Sequence, residues 1–147
     1  MSNKKYKIGY TTGVFDMFHI GHLNILKRAK SMCECLIVGI STDKLVQKYK
    51  NKAPIIPYSE RYKIIEAIKY VDKVVPQINR DKISAFKKIH FDVMFVGDDW
   101  RGTKLFDAVE KKLNNHGTKI EYFPYTKNIS STKLKKILEK ISKENYY

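Results

Sequence analysis

The sequence predicts an α/β fold: a five-stranded, mostly parallel sheet with helices on both faces, giving three layers. Two observations carry this expectation. Short apolar runs alternate with longer stretches of helical periodicity along 147 residues, with no long linker between them. One of the short runs, CLIVGIS at 35–41, is rich in β-branched residues and lacks polar alternation, the pattern of a strand buried on both faces. The length suits one hydrophobic core, so residues 1–147 are expected to form a single domain.

Each element has its own signal. YKIGYTT at 6–12 reads as the first strand, and HLNILKRAKSM at 22–32 as a helix with Leu23, Ile25, Leu26 and Ala29 inward. CLIVGIS is the second strand. A loop containing KYKNKAPIIP follows, and Pro54 and Pro57 break the chain before the helix SERYKIIEAIKY. KVVP at 73–76 is a short strand, Asn79 is placed to cap a helix running to His90, and DVMFVG at 92–97 is another buried strand. A helix begins near Thr103 and closes at Gly117, where a positive φ is expected. KIEYFP supplies the fifth strand. The last helix, 131–141, carries Leu134, Ile137, Leu138 and Ile141 at the spacing of a packing stripe.

Composition narrows the class of function. Hydrophobic residues make up 43% and charged residues 30%, and no run approaches the roughly 18 apolar residues of a membrane helix. The N-terminal MSNKKYKIGYTTG shows no apolar signal segment, so a cytoplasmic protein without membrane partners is expected. Cys33 and Cys35 alternate along one strand and are expected on one face, where a disulfide between them would be strained. They read as ordinary packing residues, the alternative being a two-thiolate metal half-site that nothing nearby completes. The net charge is +14, yet only four of 29 basic residues are arginine and the lysines are spread along the chain. That is a lysine-rich solvated surface with an affinity for small polyanions, and no nucleic-acid partner is expected.

In a parallel sheet of this kind, ligands bind beyond the carboxyl ends of the strands. The first such loop is TTGVFDMFHIGH. Gly13 permits a close turn, and the next helix starts near His19 or Ile20, with its amides and positive dipole end facing an anion. His19 and His22 lie on one face of that first turn and can both donate to one phosphate, while Gly21 leaves room beside them. The plainer alternative is two histidines satisfied at a helix start.

The string HIGH resembles the HxGH signature of the nucleotidyltransferase superfamily, which class I aminoacyl-tRNA synthetases share. A synthetase is excluded by length. From about residue 8 to 138 the chain is similar to the glycerol-3-phosphate cytidylyltransferase family, in GVFDMFHIGH, LIVGISTDKLV, ERYKIIEAIKYVDKVVP, DVMFVGDDWRG and ISSTKLK. The resemblance implies a Rossmann-like three-layer sandwich and transfer of CMP from CTP to a phosphorylated alcohol, with release of pyrophosphate. It also implies a homodimer. Glycerol 3-phosphate is the acceptor it suggests, and ATP in place of CTP is the nearest rival. A non-catalytic RNA-binding module is the rival from another class.

The resemblance further assigns roles. Gly13, Val14 and Phe15 face the nucleotide, and His19 and His22 stabilise charge on the α-phosphate. Asp16, short and next to the strand end, is placed to organise the first loop on the acceptor side, a structural role as open to it as a catalytic one. Lys48, Lys50 and Lys52 lie on what reads as a mobile loop, and Lys50 matches best the lysine that contacts the α-phosphate and the acceptor; the alternative is a solvated lysine. Relatives use an acceptor-binding lysine near Ile83, a task open to Lys82. In GDDWRG, Asp98 and Asp99 accept from ribose or cytosine and Trp100 offers a stacking face, or else fills the core. Consecutive carboxylates rarely converge on one ion, so no protein metal site is expected and Mg²⁺ travels on the CTP phosphates. Thr126, Ile129, Ser130, Ser131 and Thr132 form a second cradle for the β- and γ-phosphates and part of the base pocket. This chain departs from the family with Tyr125 and Lys69 in place of arginines and Asn128 in place of glycine; Lys69 remains assigned to the nucleotide.

Overall fold

The computed structural model describes residues 4–124 and 131–144. Its elements run β1 (Tyr6–Gly13), α1 (Ile20–Met32), β2 (Cys33–Ser41), α2 (Asp43–Lys50), α3 (Tyr58–Glu66), β3 (Lys73–Gln77), α4 (Lys82–Ile89), β4 (Val93–Gly97), a 3₁₀ turn (Asp98–Trp100), α5 (Lys104–Asn114), β5 (Lys119–Phe123) and α6 (Ser131–Glu144). The strands form one sheet in the order β3-β2-β1-β4-β5, and every pairing is parallel. The central strand β1 sets Gly9 against Leu36 of β2 on one side and Val93 of β4 on the other.

Continuous apolar strands demand cover on both faces, and two separate clusters provide it. One gathers Leu26 and Ala29 of α1, Ile65 of α3 and Leu36, Val38 and Ile40 of β2. The other gathers Tyr10, Ile37, Met94 and Ile120 from the sheet with Phe106 and Leu113 of α5. Tyr10 and Phe91 stack there with ring centroids 5.0 Å apart. Thr103 caps α5 through the Phe106 amide, and Gly117 follows the helix with φ +78°, as its position predicts.

Four local expectations are corrected. Residues 43–50 form a helix, α2, in place of a loop: Thr42 caps it by accepting from Leu45 N, Leu45 and Val46 are buried, and Asn51 ends it in the left-handed region. The cap of α4 is Asp81, which accepts from Ile83 N and Ser84 N, while Asn79 Oδ1 accepts from Asp81 N one turn earlier. Cys33 and Cys35 do not share a face. Cys33 joins the cluster under α1 and Cys35 packs against the opposite one, so the alternation begins only after the helix-to-strand junction. Finally, the α6 stripe is not covered: Ile137, Leu138 and Ile141 are about half exposed among the described residues. No described helix is long and apolar enough to cross a membrane.

Candidate active site

The order β3-β2-β1-β4-β5 reverses direction of winding at β1, whose neighbours β2 and β4 lead away to opposite sides. A crevice therefore opens beyond the carboxyl ends of β1 and β4. A cavity of about 380 Å³ occupies it, walled by Gly13, Val14 and Phe15 after β1 and by Gly97 and Trp100 after β4.

The loop after β1 is held in an unusual shape. Gly13 ends the strand, and a Cβ there would lie 3.2 Å from the Phe15 ring, but the turn itself takes positive φ at Phe15 (54°) and Met17 (47°). A phenylalanine in that region is strained and persists only where its surroundings fix it. They do so here. Phe15 is buried in the α1-side core, Asp16 Oδ2 and Oδ1 accept from the Ile55 and Ile56 amides at 2.8 Å each, and Lys135 Nζ meets Asp16 Oδ2 at 2.8 Å. Arg61, only 1% exposed, donates from Nη1 to Val14 O at 2.7 Å and to Ser41 O at 2.8 Å. Its Nε donates to Ile56 O at 2.8 Å and its Nη2 pairs with Asp43 Oδ1 at 2.6 Å. One guanidinium thus ties the loops after β1 and β2 to the segment before α3. Asp16 is committed to this framework and is not in the cavity wall.

This loop delivers the two histidines in a defined state. His19 is the N-cap of α1, and its Nδ1 accepts from Gly21 N at 3.0 Å; His22 Nδ1 accepts in return from His19 N at 3.3 Å. A nitrogen that accepts from a backbone amide carries no proton, so each neutral ring bears its hydrogen on Nε2. The rings stack with centroids 3.8 Å apart and 21° between planes, and Phe15 and Phe18 flank His22. Burial lowers both pKa values, His22 to about 4, with the adjacent His19 also lowering it and Asp16 opposing. At neutral pH both are uncharged Nε2–H donors. His22 lines the cavity, and His19 Nε2 is buried without a hydrogen-bond partner among the described residues. An orphaned buried donor is uncommon and marks a place for an acceptor atom.

Cations converge on the same cavity from the β2 and β3 side: Lys50 at the end of α2, and Arg80 and Lys82 around the start of α4. Burial lowers the Lys82 pKa to about 8, with Arg80 adding to the effect, and burial with the neighbouring Lys135 lowers that of Lys50. Tyr49 and Gln77 complete this end; Gln77 Oε1 accepts from the hydroxyls of Thr12 and Ser41. Not every expected residue arrives. Lys48 is exposed on α2 outside the cavity wall, and Lys69 is exposed with its ammonium 5.2 Å from the Tyr70 ring centre. Asp98 and Asp99 are exposed on the 3₁₀ turn, while Trp100 both lines the cavity and packs 5.1 Å from Phe106. Thr126, Ile129 and Ser130 lie outside the described residues, as do Tyr125 and Asn128. Ser131 opens α6, and Thr132 is exposed on its first turn.

Arg61, Arg80, Tyr49 and Gln77 escape a sequence reading. Only helix α2, which brings Tyr49 and Lys50 to the cavity wall, would have signalled one of these, Tyr49. Among the described residues no group of three His, Cys, Asp or Glu side chains is placed to hold a metal. The donors that line the cavity are N–H and ammonium groups suited to phosphate oxygens.

Comparison with known proteins identifies the family. The Cytidylyltransferase-like family model matches residues 10–137. A glycerol-3-phosphate cytidylyltransferase of Bacillus spizizenii is 39% identical over 127 residues, covering 86% of this chain and 92% of that relative. One from Staphylococcus aureus is 36% identical, with 87% and 92% covered. An FAD synthase of Pyrococcus abyssi is also 36% identical, covering 88% of each chain. Among solved structures, a lipopolysaccharide core biosynthesis protein from Thermoplasma volcanium superposes with a TM-score of 0.68 at 24% identity, over 84% of this chain and 99% of that one, which shows the shared fold. The match to the family model and the identity of these relatives over most of their length place the chain in the cytidylyltransferase-like family of nucleotidyltransferases.

Proposed function

We propose that the protein transfers a cytidylyl group from CTP to a phosphorylated small alcohol, glycerol 3-phosphate being the acceptor most consistent with its relatives, to give a CDP-alcohol and pyrophosphate. The observation that carries this is the reciprocal histidine cap: it presents two neutral Nε2–H donors, that of His19 buried without a partner among the described residues, beside a cavity lined by cations.

In this mechanism an oxygen of the acceptor phosphate attacks the α-phosphorus. The new P–O bond forms as the bond to the bridging oxygen breaks, and the electron pair leaves with pyrophosphate. No general base is needed, because the dianion already carries the nucleophilic oxygen. His19 and His22 donate to the α-phosphate and bridging oxygens as charge moves onto them, and Lys50 holds the acceptor against the α-phosphate. Gly13, Val14 and Trp100 bound the nucleotide side. A divalent cation fits as a companion of the triphosphate, since the carboxylate nearest the histidines, Asp16, is already taken by two amides and Lys135. When bound it neutralises phosphate charge. The fifth-strand segment with Ser130 and Ser131 is the proposed partner for the β- and γ-phosphates.

A second donor is supported by the FAD synthases at 34–36% identity: ATP, with a flavin phosphate as acceptor. The test is pyrophosphate release and product mass for CTP and ATP in parallel, each with Mg²⁺ and a panel of glycerol 3-phosphate, other polyol and amino-alcohol phosphates, and flavin mononucleotide. A CDP-alcohol product supports the cytidylyl reading. A flavin–adenine dinucleotide as the sole product replaces it. Homodimerisation under the same reading is tested by light scattering.

A further inference from the structure

The end of the cavity beneath β2 and β3 carries more positive charge than the histidine loop accounts for. Lys50, Arg80 and Lys82 line it, and no carboxylate does among the described residues. Asp81, between the two α4 cations in sequence, is turned away: its Oδ1 accepts from Ile83 N at 3.0 Å and Ser84 N at 3.1 Å. Lys82, largely covered, makes no ion pair or hydrogen bond among the described residues. Arg80 is exposed, yet its guanidinium carbon lies 4.6 Å from the centre of the Tyr49 ring. A guanidinium resting on an aromatic face keeps its edge N–H groups free in a planar fork, which matches two oxygens of one phosphate.

Topology separates this end from the other. Trp100 and Gly97 lie beyond β4 on one side of β1, and Tyr49, Lys50, Arg80 and Lys82 lie beyond β2 and β3 on the other. His19 and His22, which follow β1 itself, sit between them. A transfer at phosphorus needs the attacking oxygen and the departing pyrophosphate on opposite sides of the reacting atom. That line of transfer leaves the nucleoside to one side; what fits the β2–β3 end to the acceptor's phosphate is its cluster of cations, Lys50, Arg80 and Lys82, in the same cavity as His22. We infer that Arg80, braced on Tyr49 and acting with Lys82, is the residue pair that recognises the acceptor's phosphate and selects a dianionic phosphate monoester. This rests on the transfer reaction proposed above and adds two residues, Arg80 and Tyr49, that sequence spacing did not indicate.

The test separates the two claims. In steady-state assays with CTP and glycerol 3-phosphate, Arg80→Ala is expected to raise the KM for glycerol 3-phosphate by about 10- to 100-fold while leaving the KM for CTP within about threefold. Arg80→Lys keeps the charge but not the fork and falls between; Tyr49→Leu, which removes the brace, shifts the same constant in the same direction. Equal shifts in both KM values, or an unchanged acceptor KM, overturn the inference. Calorimetric titration of glycerol 3-phosphate into the unliganded protein needs no turnover. Binding by the wild type that Arg80→Ala loses supports the subsite even if no nucleotide is transferred, an outcome that rejects the reaction alone. No binding by the wild type, or equal binding by both, rejects the subsite.

Discussion

Lys135 Nζ on α6 lies 2.8 Å from Oδ2 of Asp16 in the loop after β1, and that carboxylate, 2% exposed, also accepts from the amides of Ile55 and Ile56. A single buried side chain therefore joins the histidine loop, the connection between α2 and α3, and the last helix.

Replacing Asp16 with Asn keeps the shape but removes the charge that both amides and Lys135 address. Stability is expected to fall by about 2–3 kcal/mol in urea titrations. Burial pushes the Asp16 pKa up, but the bonds from Lys135, Ile56 and Ile55 outweigh it and hold the carboxyl below its ordinary 3.8. Its stabilisation is thus present above pH 3.8 and lost as pH falls through the folded value. The wild type should show an acid limb below pH 3.8 that the variant lacks.

Arg61 fills four bonding positions in a buried site, and no other side chain reproduces its fork. Arg61→Lys keeps one charge but leaves at least one of the four acceptors without a donor. The expected loss is about 3 kcal/mol, measured by chemical denaturation, with a lower Tm and reduced turnover because Val14 and the strained Phe15 are released.

His22 titrates about 4 when folded, against an ordinary 6.5. Between these values the unfolded chain binds the proton and the folded one does not, so stability falls as pH drops from 6.5 toward 4. The shift corresponds to about 3 kcal/mol at the acid end. His22→Asn should flatten the Tm profile across that window while leaving Tm above pH 7 nearly unchanged.

Lys82 is depressed in the same sense but in a higher pH window, to about 8 from 10.5, by burial and Arg80, with Lys50 also lining its cavity. Below pH 8 the folded protein bears the full cost of a charged, unpaired ammonium. Between 8 and 10.5 the cost relaxes as the folded form sheds its proton, so stability rises with pH. Lys82→Met is expected to be more stable than the wild type at pH 7, by up to about 3 kcal/mol, with the difference vanishing toward pH 10.5. Melting curves across pH 6–10.5 give the comparison.

The sheet was legible because β2 and β4 carry nearly continuous apolar runs, CLIVGI and VMFVG, and because Pro54, Pro57 and Gly117 punctuate the chain between elements. The histidine loop was legible because its chemistry is local: four consecutive residues hold both imidazoles. Helix α2 was not, since DKLVQKYK buries only Leu45 and Val46 and its lysines look like loop composition. Missing it concealed that Tyr49 and Lys50 line the cavity while Lys48 does not. Arg61, Arg80 and Gln77 act across segments far apart in sequence, and no periodicity encodes such contacts. The stripe on α6 had the right spacing for packing, but spacing says nothing of whether a partner surface lies opposite.

The central claim, that the His19 and His22 Nε2–H groups act on the reacting phosphate, is tested most directly by the kcat of pyrophosphate release from CTP and glycerol 3-phosphate in His19→Ala and His22→Ala proteins confirmed to be folded. The account predicts that each falls by about two to three orders of magnitude. Near-wild-type turnover in both variants would contradict it.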